Sequence, residues 1–137
     1  VSNIISEETA NEQIENLKVY YDIEVDDFPN DVKAAVVSSF KKIKRAIMAG
    51  RLEIDTTGDD IVIKQTLAKP PEGSDGQIVY KEVSGVAKDG LNDEHSAHKK
   101  MYYFLGVLSG QGAQIIRKLK GPDLSVAEAL GCIFLQV

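Results

Sequence analysis

Cysteine occurs once in this chain, at Cys132, so an intrachain disulfide and a cysteine-built zinc site are both excluded within it. No His or Asp lies near Cys132 in the sequence. "LGCIFL" therefore reads as part of a buried apolar helix, with the thiol acting as a small hydrophobe. Long apolar runs are missing too. No stretch approaches the roughly 20 residues that span a bilayer. The first residues, "VSNIISEETANEQ", are polar and acidic, unlike a secretory leader. The expectation is a cytoplasmic protein without a membrane role. There is no G-x-S-x-G, no H-E-x-x-H, no C-x-x-C and no repeat of fixed period. The carboxylates are many and scattered. No residue is nominated as catalytic, no cofactor is expected, and the chain is read as a non-enzyme.

An excess of positive charge is also lacking. Sixteen Lys and Arg stand against 21 Asp and Glu, for a net charge of −5 and a pI near 5.0. Such a surface repels phosphate backbones as a whole, and nucleic acid is not expected as a partner.

What is present is a globular composition. Of 137 residues, 43% are hydrophobic and 27% charged, enough for a single domain with a real core. "ISEETANEQIENLKVYY" opens with Ser6 as N-cap and with Glu7 and Glu8 in the first turn. Ala10, Ile14, Leu17 and Tyr21 then recur at helical spacing. After the extended, acidic "DIEVDDFPN", Asn30 or Asp31 is expected to cap a second helix. Its stripe is Val32, Val36, Phe40, Ile43 and Ile47, and Gly50 ends it.

The period then drops to two. "RLEID", "DIVIKQTL" and "QIVYKEV" read as strands joined by "TTGD" and "AKPPEGSDG". Alternation puts Leu52 with Ile54, and Ile61 with Ile63 and Leu67, on shared faces. Short connections favour a three-stranded antiparallel meander. "SGVAKDGLND" reads as irregular. Asn92 is then expected to cap a helix with Asp93 and Glu94 in its first turn. Its apolar face is Ala97, Met101, Phe104, Leu105 and Leu108, and Gly110 ends it. "AQIIRKLK" is a short helix burying Ile115, Ile116 and Leu119, stopped by Gly121-Pro122. Ser125 and Glu128 form a capping box, which starts the last helix at Val126. The expected fold is α+β: a small three-stranded antiparallel sheet with about five helices, two before and three after it. The expected layout is residues 1–50 helical, 51–85 the β-meander and 92–137 helical.

Four motifs invite chemistry. His95 and His98, at i and i+3 beside Asp93 and Glu94, could supply two ligands to a divalent metal. They lack a third ligand, and Lys99 and Lys100 add repulsion, so no metal site is assigned. "DIEVDD" starts like a calcium loop but has Asp27 where Gly is needed and Lys33 where Glu is needed. "GVLSGQG" lacks the Lys-Ser/Thr of a phosphate loop and reads as a helix end and tight turn. "KKIKR" places Lys41, Lys42, Lys44 and Arg45 near the end of the second helix, where they could hold an acidic protein segment. From Val126 the apolar positions cover more than one stripe. Leu130, Ile133, Phe134 and Val137 are therefore either core or a contact for a partner or a second copy.

The order of parts in the C-terminal half resembles the phage tail assembly chaperones. A strand ends in "LAKP", and "IVYKEVSGVAKDGL" follows it. A helix then ends in "FLGVLSG", before "IIRKLKGPDLSVAEALGCIFL". The resemblance covers roughly residues 52–136. It departs from the family at Asp89, where Gly90 intervenes before Leu91, and residues 1–50 have no counterpart. The resemblance implies a non-enzymatic protein of the host-cell cytoplasm. It would bind helical segments of the tape-measure protein, help tail-tube subunits assemble around it, and be absent from the finished particle. Two alternatives are a structural phage head or tail component, and a metal-binding regulator or enzyme using His95 and His98.

Overall fold

The computed structural model describes residues 5–89 and 97–137. Among them the chain runs α1 (Glu7–Tyr20), a 3-10 turn (Val25–Asp27), α2 (Asn30–Met48), β1 (Leu52–Asp55), β2 (Val62–Thr66) and β3 (Gln77–Tyr80). It continues with α3 (Gly85–Lys88), α4 (Ala97–Ser109), α5 (Ala113–Arg117) and α6 (Pro122–Phe134). This is the expected α+β order around a three-stranded antiparallel sheet. The addition is α3, in the segment read as irregular. Ser84 caps it by accepting from the Ala87 N–H at 3.2 Å. Four residues are too few to show a helical period.

Helix α1 starts where its cap predicts. The Ser6 hydroxyl accepts from the Thr9 N–H at 3.1 Å, and Ala10, Ile14 and Leu17 are buried. Helix α2 starts one residue earlier than expected. Pro29 is the N-cap residue, its carbonyl accepts from the Lys33 N–H at 2.7 Å, and Asn30 and Asp31 lie inside the first turn. Its far end is a Schellman motif. Gly50 takes φ 75°, its N–H donates to Ile47 at 3.0 Å, and the Arg51 N–H donates to Ala46 at 2.9 Å. Helix α2 thus passes into β1 almost without a loop.

The sheet is a meander with β2 central, pairing Ile54 with Ile63 and Ile63 with Tyr80. Leu52, Ile54, Ile63, Ile78 and Tyr80 face inward, flanked by buried Ile61 and Leu67, as the alternation predicts. The Gln13 side chain accepts from the Ile54 N–H at 2.9 Å, so α1 covers part of the edge strand.

Helix α4 contributes Phe104, Leu105 and Leu108 to the core and ends at Gly110, which has φ 70°. Gly106 is needed for the turn into α5. A Cβ there would sit 2.5 Å from the Ala113 nitrogen and the Gly112 carbonyl carbon. Helix α5 ends at Arg117, so Leu119 lies beyond it; Ile116 and Leu119 are buried and Ile115 only half so.

Helix α6 begins at Pro122, four residues before the capping box predicts. Proline fits the first helical position because it has no N–H to leave unpaired there. Ser125 is consequently in the first turn, with its N–H donating to Gly121 at 3.0 Å. The helix is buried on most sides against α2 and α4. No helix among the described residues is long and apolar enough to cross a membrane.

Candidate functional site

The burial of α6 decides the question its sequence raised. Leu130 and Phe134 are 0% exposed and Ile133 is 1%. All three are core, so none is available to a partner. Val137 is half-buried against the same core, and its carbonyl accepts from the Lys88 ammonium. Leu130, Ile133 and Phe134 thus take the core alternative of the two read from sequence, while Val137 stays partly exposed. Burying large side chains against α2 and α4 gives more, at about 1.5–3 kcal/mol each, than leaving them in water. Cys132, expected buried, is half-buried.

The "KKIKR" cations are divided between two flanks of α2. Lys41 and Lys44 face α1, lining a 300 Å³ groove with Lys18, Ile14, Val37 and Phe40. Lys44 is paired with Glu7 at 2.8 Å, which holds that carboxyl below its ordinary value, and the Lys18 ammonium lies 5.0 Å over the Phe40 ring. Lys42 and Arg45 face the other way. They line a 160 Å³ groove with Arg51, Pro122, Ser125 and Val126.

A third groove is lined by residues on the other side of Gly121 in the sequence. It has a volume of 450 Å³ and is lined by Lys69, Pro70, Pro71, Glu72, Arg117, Lys118, Leu119 and Lys120. This groove and the preceding one are thus lined from either side of the start of α6. Together they gather seven cations, Lys42, Arg45, Arg51, Lys69, Arg117, Lys118 and Lys120, against one lining carboxylate, Glu72. None of the seven enters an ion pair with a described residue. All are exposed except Arg51, which is half-buried. The N-terminal end of α6 has no side-chain cap, and its positive partial charge is offset by Asp123 in the first turn. This basic rim is the candidate functional site.

Its frame is a buried polar network. Asp123 is 2% exposed and sits one residue inside α6. Its carboxylate accepts from the Ala68 N–H at 2.8 Å and the Lys69 N–H at 2.9 Å. Its backbone carbonyl accepts from the Gln65 amide at 2.9 Å, and the Gln65 side-chain oxygen accepts from the Tyr80 hydroxyl at 2.8 Å. The loop carrying Lys69 and the helix end carrying Lys120 are thus fixed to each other. The Asp123 carboxylate is engaged by those two backbone N–H groups and is not part of the lining of either groove. Burial drives the Tyr80 hydroxyl well above the usual phenol range, so it stays a donor.

Of the residues proposed from sequence, only Lys42 and Arg45 belong to this rim. Arg51, Lys69, Arg117, Lys118 and Lys120 were not nominated. They come from three separate segments, and only the "RKLK" run is visible as a charge cluster. Gln65 did carry a signal, since it occupies an inward position between Ile63 and Leu67. The Asn92 cap, Asp93, Glu94 and His95 lie outside the described residues, as does the side chain of His98. Among the described residues no group of three or more His, Cys, Asp or Glu could hold a metal. "GVLSGQG" forms the helix end and turn expected of it, with the Gly112 N–H donating to the Gly106 carbonyl at 3.2 Å. No family model, no curated protein and no solved structure matches this chain.

Proposed function

We propose that this protein is a non-enzymatic assembly factor of the phage tail chaperone class, and that it holds protein partners by charge at the basic rim. The observation that carries the reading is the rim itself. Seven cations that form no ion pair with a described residue, on the two grooves lined by residues either side of Gly121, form a surface suited to a partner bearing carboxylates. The class comes from the segment order of residues 52–136, which falls on the continuous stretch from β1 to α6 that builds the rim's frame. The partners implied are helical tape-measure segments and tail-tube subunits. The contact differs from one made by an exposed apolar helix, because α6 is used up in the core.

The test is a pull-down with purified helical segments of a tape-measure protein. Capture is expected at low salt. It should weaken as salt rises and be lost in the triple variant Arg117→Glu, Lys118→Glu, Lys120→Glu. Absence of capture at low salt, or undiminished capture by the triple variant, overturns the reading.

A further inference from the structure

Charge in this chain is segregated along the sequence. Residues 1–31 hold nine carboxylates and one lysine, a net −8. The other 106 residues hold twelve carboxylates and fifteen cations, a net +3. In the fold, the acidic part is α1, the turn from Asp22 through the 3-10 turn, and the first turn of α2 with Asp31. Two of its carboxylates are engaged, Glu7 with Lys44 and Asp26 with Lys33. The other seven, among them Glu12, Glu15, Glu24 and Asp27, are exposed and form no ion pair with a described residue.

Helix α2 separates this acidic flank from the rim. Its Lys41 and Lys44 edge meets α1, and its Lys42 and Arg45 edge meets the start of α6. One copy therefore cannot bring its own seven free carboxylates onto its own seven free cations. Two copies can.

We propose that the rim is filled by the α1 and 3-10 flank of a second copy of this chain. The inference rests on the reading of the rim as a protein-binding surface and names what binds it. Because different patches meet, the contact is head-to-tail, and the pair keeps one free face of each sign, the acidic flank on one copy and the rim on the other. Such a contact closes into a ring or extends as a row, depending on the rotation between copies. Like faces repel, so the head-to-head alternative is disfavoured by the same charges. A row of copies would lie naturally along an extended partner.

Sedimentation velocity on the full chain tests this. At about 0.01 M salt, concentration-dependent oligomers are expected; at about 1 M, where the screening length falls to about 3 Å, monomer is expected. Two charge-reversed variants extend the test. One carries Arg117→Glu, Lys118→Glu and Lys120→Glu. The other carries Glu8→Lys, Glu12→Lys and Glu15→Lys. Each alone should remain monomeric, the first with its rim brought from a net +6 to neutral and the second with residues 1–31 brought from −8 to −2. Mixed, they should associate, since the native acidic face of one meets the native rim of the other.

Three results overturn the proposal: a wild-type chain that stays monomeric at low salt, oligomers that persist in the rim-reversed variant, or a mixture that does not associate. Binding of a fluorescent single-stranded oligonucleotide by the rim of a monomeric wild type would overturn it in favour of nucleic acid. Failure here with tape-measure capture intact removes only the self-association. Failure of both removes the protein-binding reading of the rim as well.

Discussion

The Tyr80 hydroxyl donates to the side-chain oxygen of Gln65 at 2.8 Å, with both residues almost wholly buried. Neither polar group has water to fall back on, so each makes the other tolerable in the core. Tyr80→Phe leaves the Gln65 oxygen without its donor. The expected loss is about 1–2 kcal/mol of stability. Gln65→Leu should cost more, because it orphans the Tyr80 hydroxyl and also removes the Gln65 amide bond to the Asp123 carbonyl that ties β2 to α6. Urea unfolding of the two variants measures both losses. A Gln65→Leu variant as stable as wild type would show that the network is not a stabilising frame.

The same tyrosine sets an alkaline limit. Burial raises the Tyr80 pKa, and burial also pushes the Tyr21 hydroxyl up to about 12 from 10.0. Above pH 10 the unfolded chain releases these protons while the folded chain retains them. The folded state then binds more protons than the unfolded one, so stability falls as pH rises. For Tyr21 the contribution is present in full below 10.0 and is lost progressively as pH rises through about 12. Chemical unfolding between pH 10.0 and about 12 should show this decline, and Tyr21→Phe should reduce it.

Two glycines on the helical side should respond differently to one added methyl. At Gly106 a Cβ would meet backbone atoms at 2.5 Å, and backbone cannot rotate away. At Gly131 it would meet the Met101 Cγ at 2.6 Å and Sδ at 3.1 Å, atoms of a flexible side chain rather than backbone. Gly106→Ala is expected to lower stability by about 1–3 kcal/mol or more, as overpacking does. Gly131→Ala should cost less. Paired thermal melts decide it, and equal losses would contradict this account of the α4–α5 turn.

Core and rim should also separate cleanly. Phe134→Ala removes a fully buried ring packed 6.1 Å from Tyr80 and should cost about 3–5 kcal/mol. Lys118→Glu lies on the exposed surface and should change stability by no more than about 0.5 kcal/mol. Circular dichroism melts of the two variants, run beside partner capture, should show fold loss in the first and capture loss in the second.

Periodic elements were the legible part of this chain. The stripes of α1 and α2 and the alternation of β1 to β3 are dictated by which side chains must leave water, and that pattern is local. Helix starts were less so. At α6 a capping box and a proline competed for the same role, and proline at the first helical position won. The short α3 gave no period at all. The rim was illegible for a different reason. Lys42 and Lys41 are neighbours in sequence, yet α2 turns them to opposite flanks, while Lys69 and Lys118 are brought together from 49 positions apart. A linear charge count averages over this arrangement and returns only a mildly acidic protein.

Segregated charge across α2 makes the molecule a large electric dipole. Its behaviour on charged matrices should therefore follow its faces rather than its sum. At neutral pH a chain with a pI near 5.0 would ordinarily pass through a cation exchanger. This one should be retained there through Arg117, Lys118 and Lys120, and on an anion exchanger through the α1 flank. Retention on both resins at one pH, with the rim-reversed variant held by the anion exchanger alone, would make the dipole visible in a purification column.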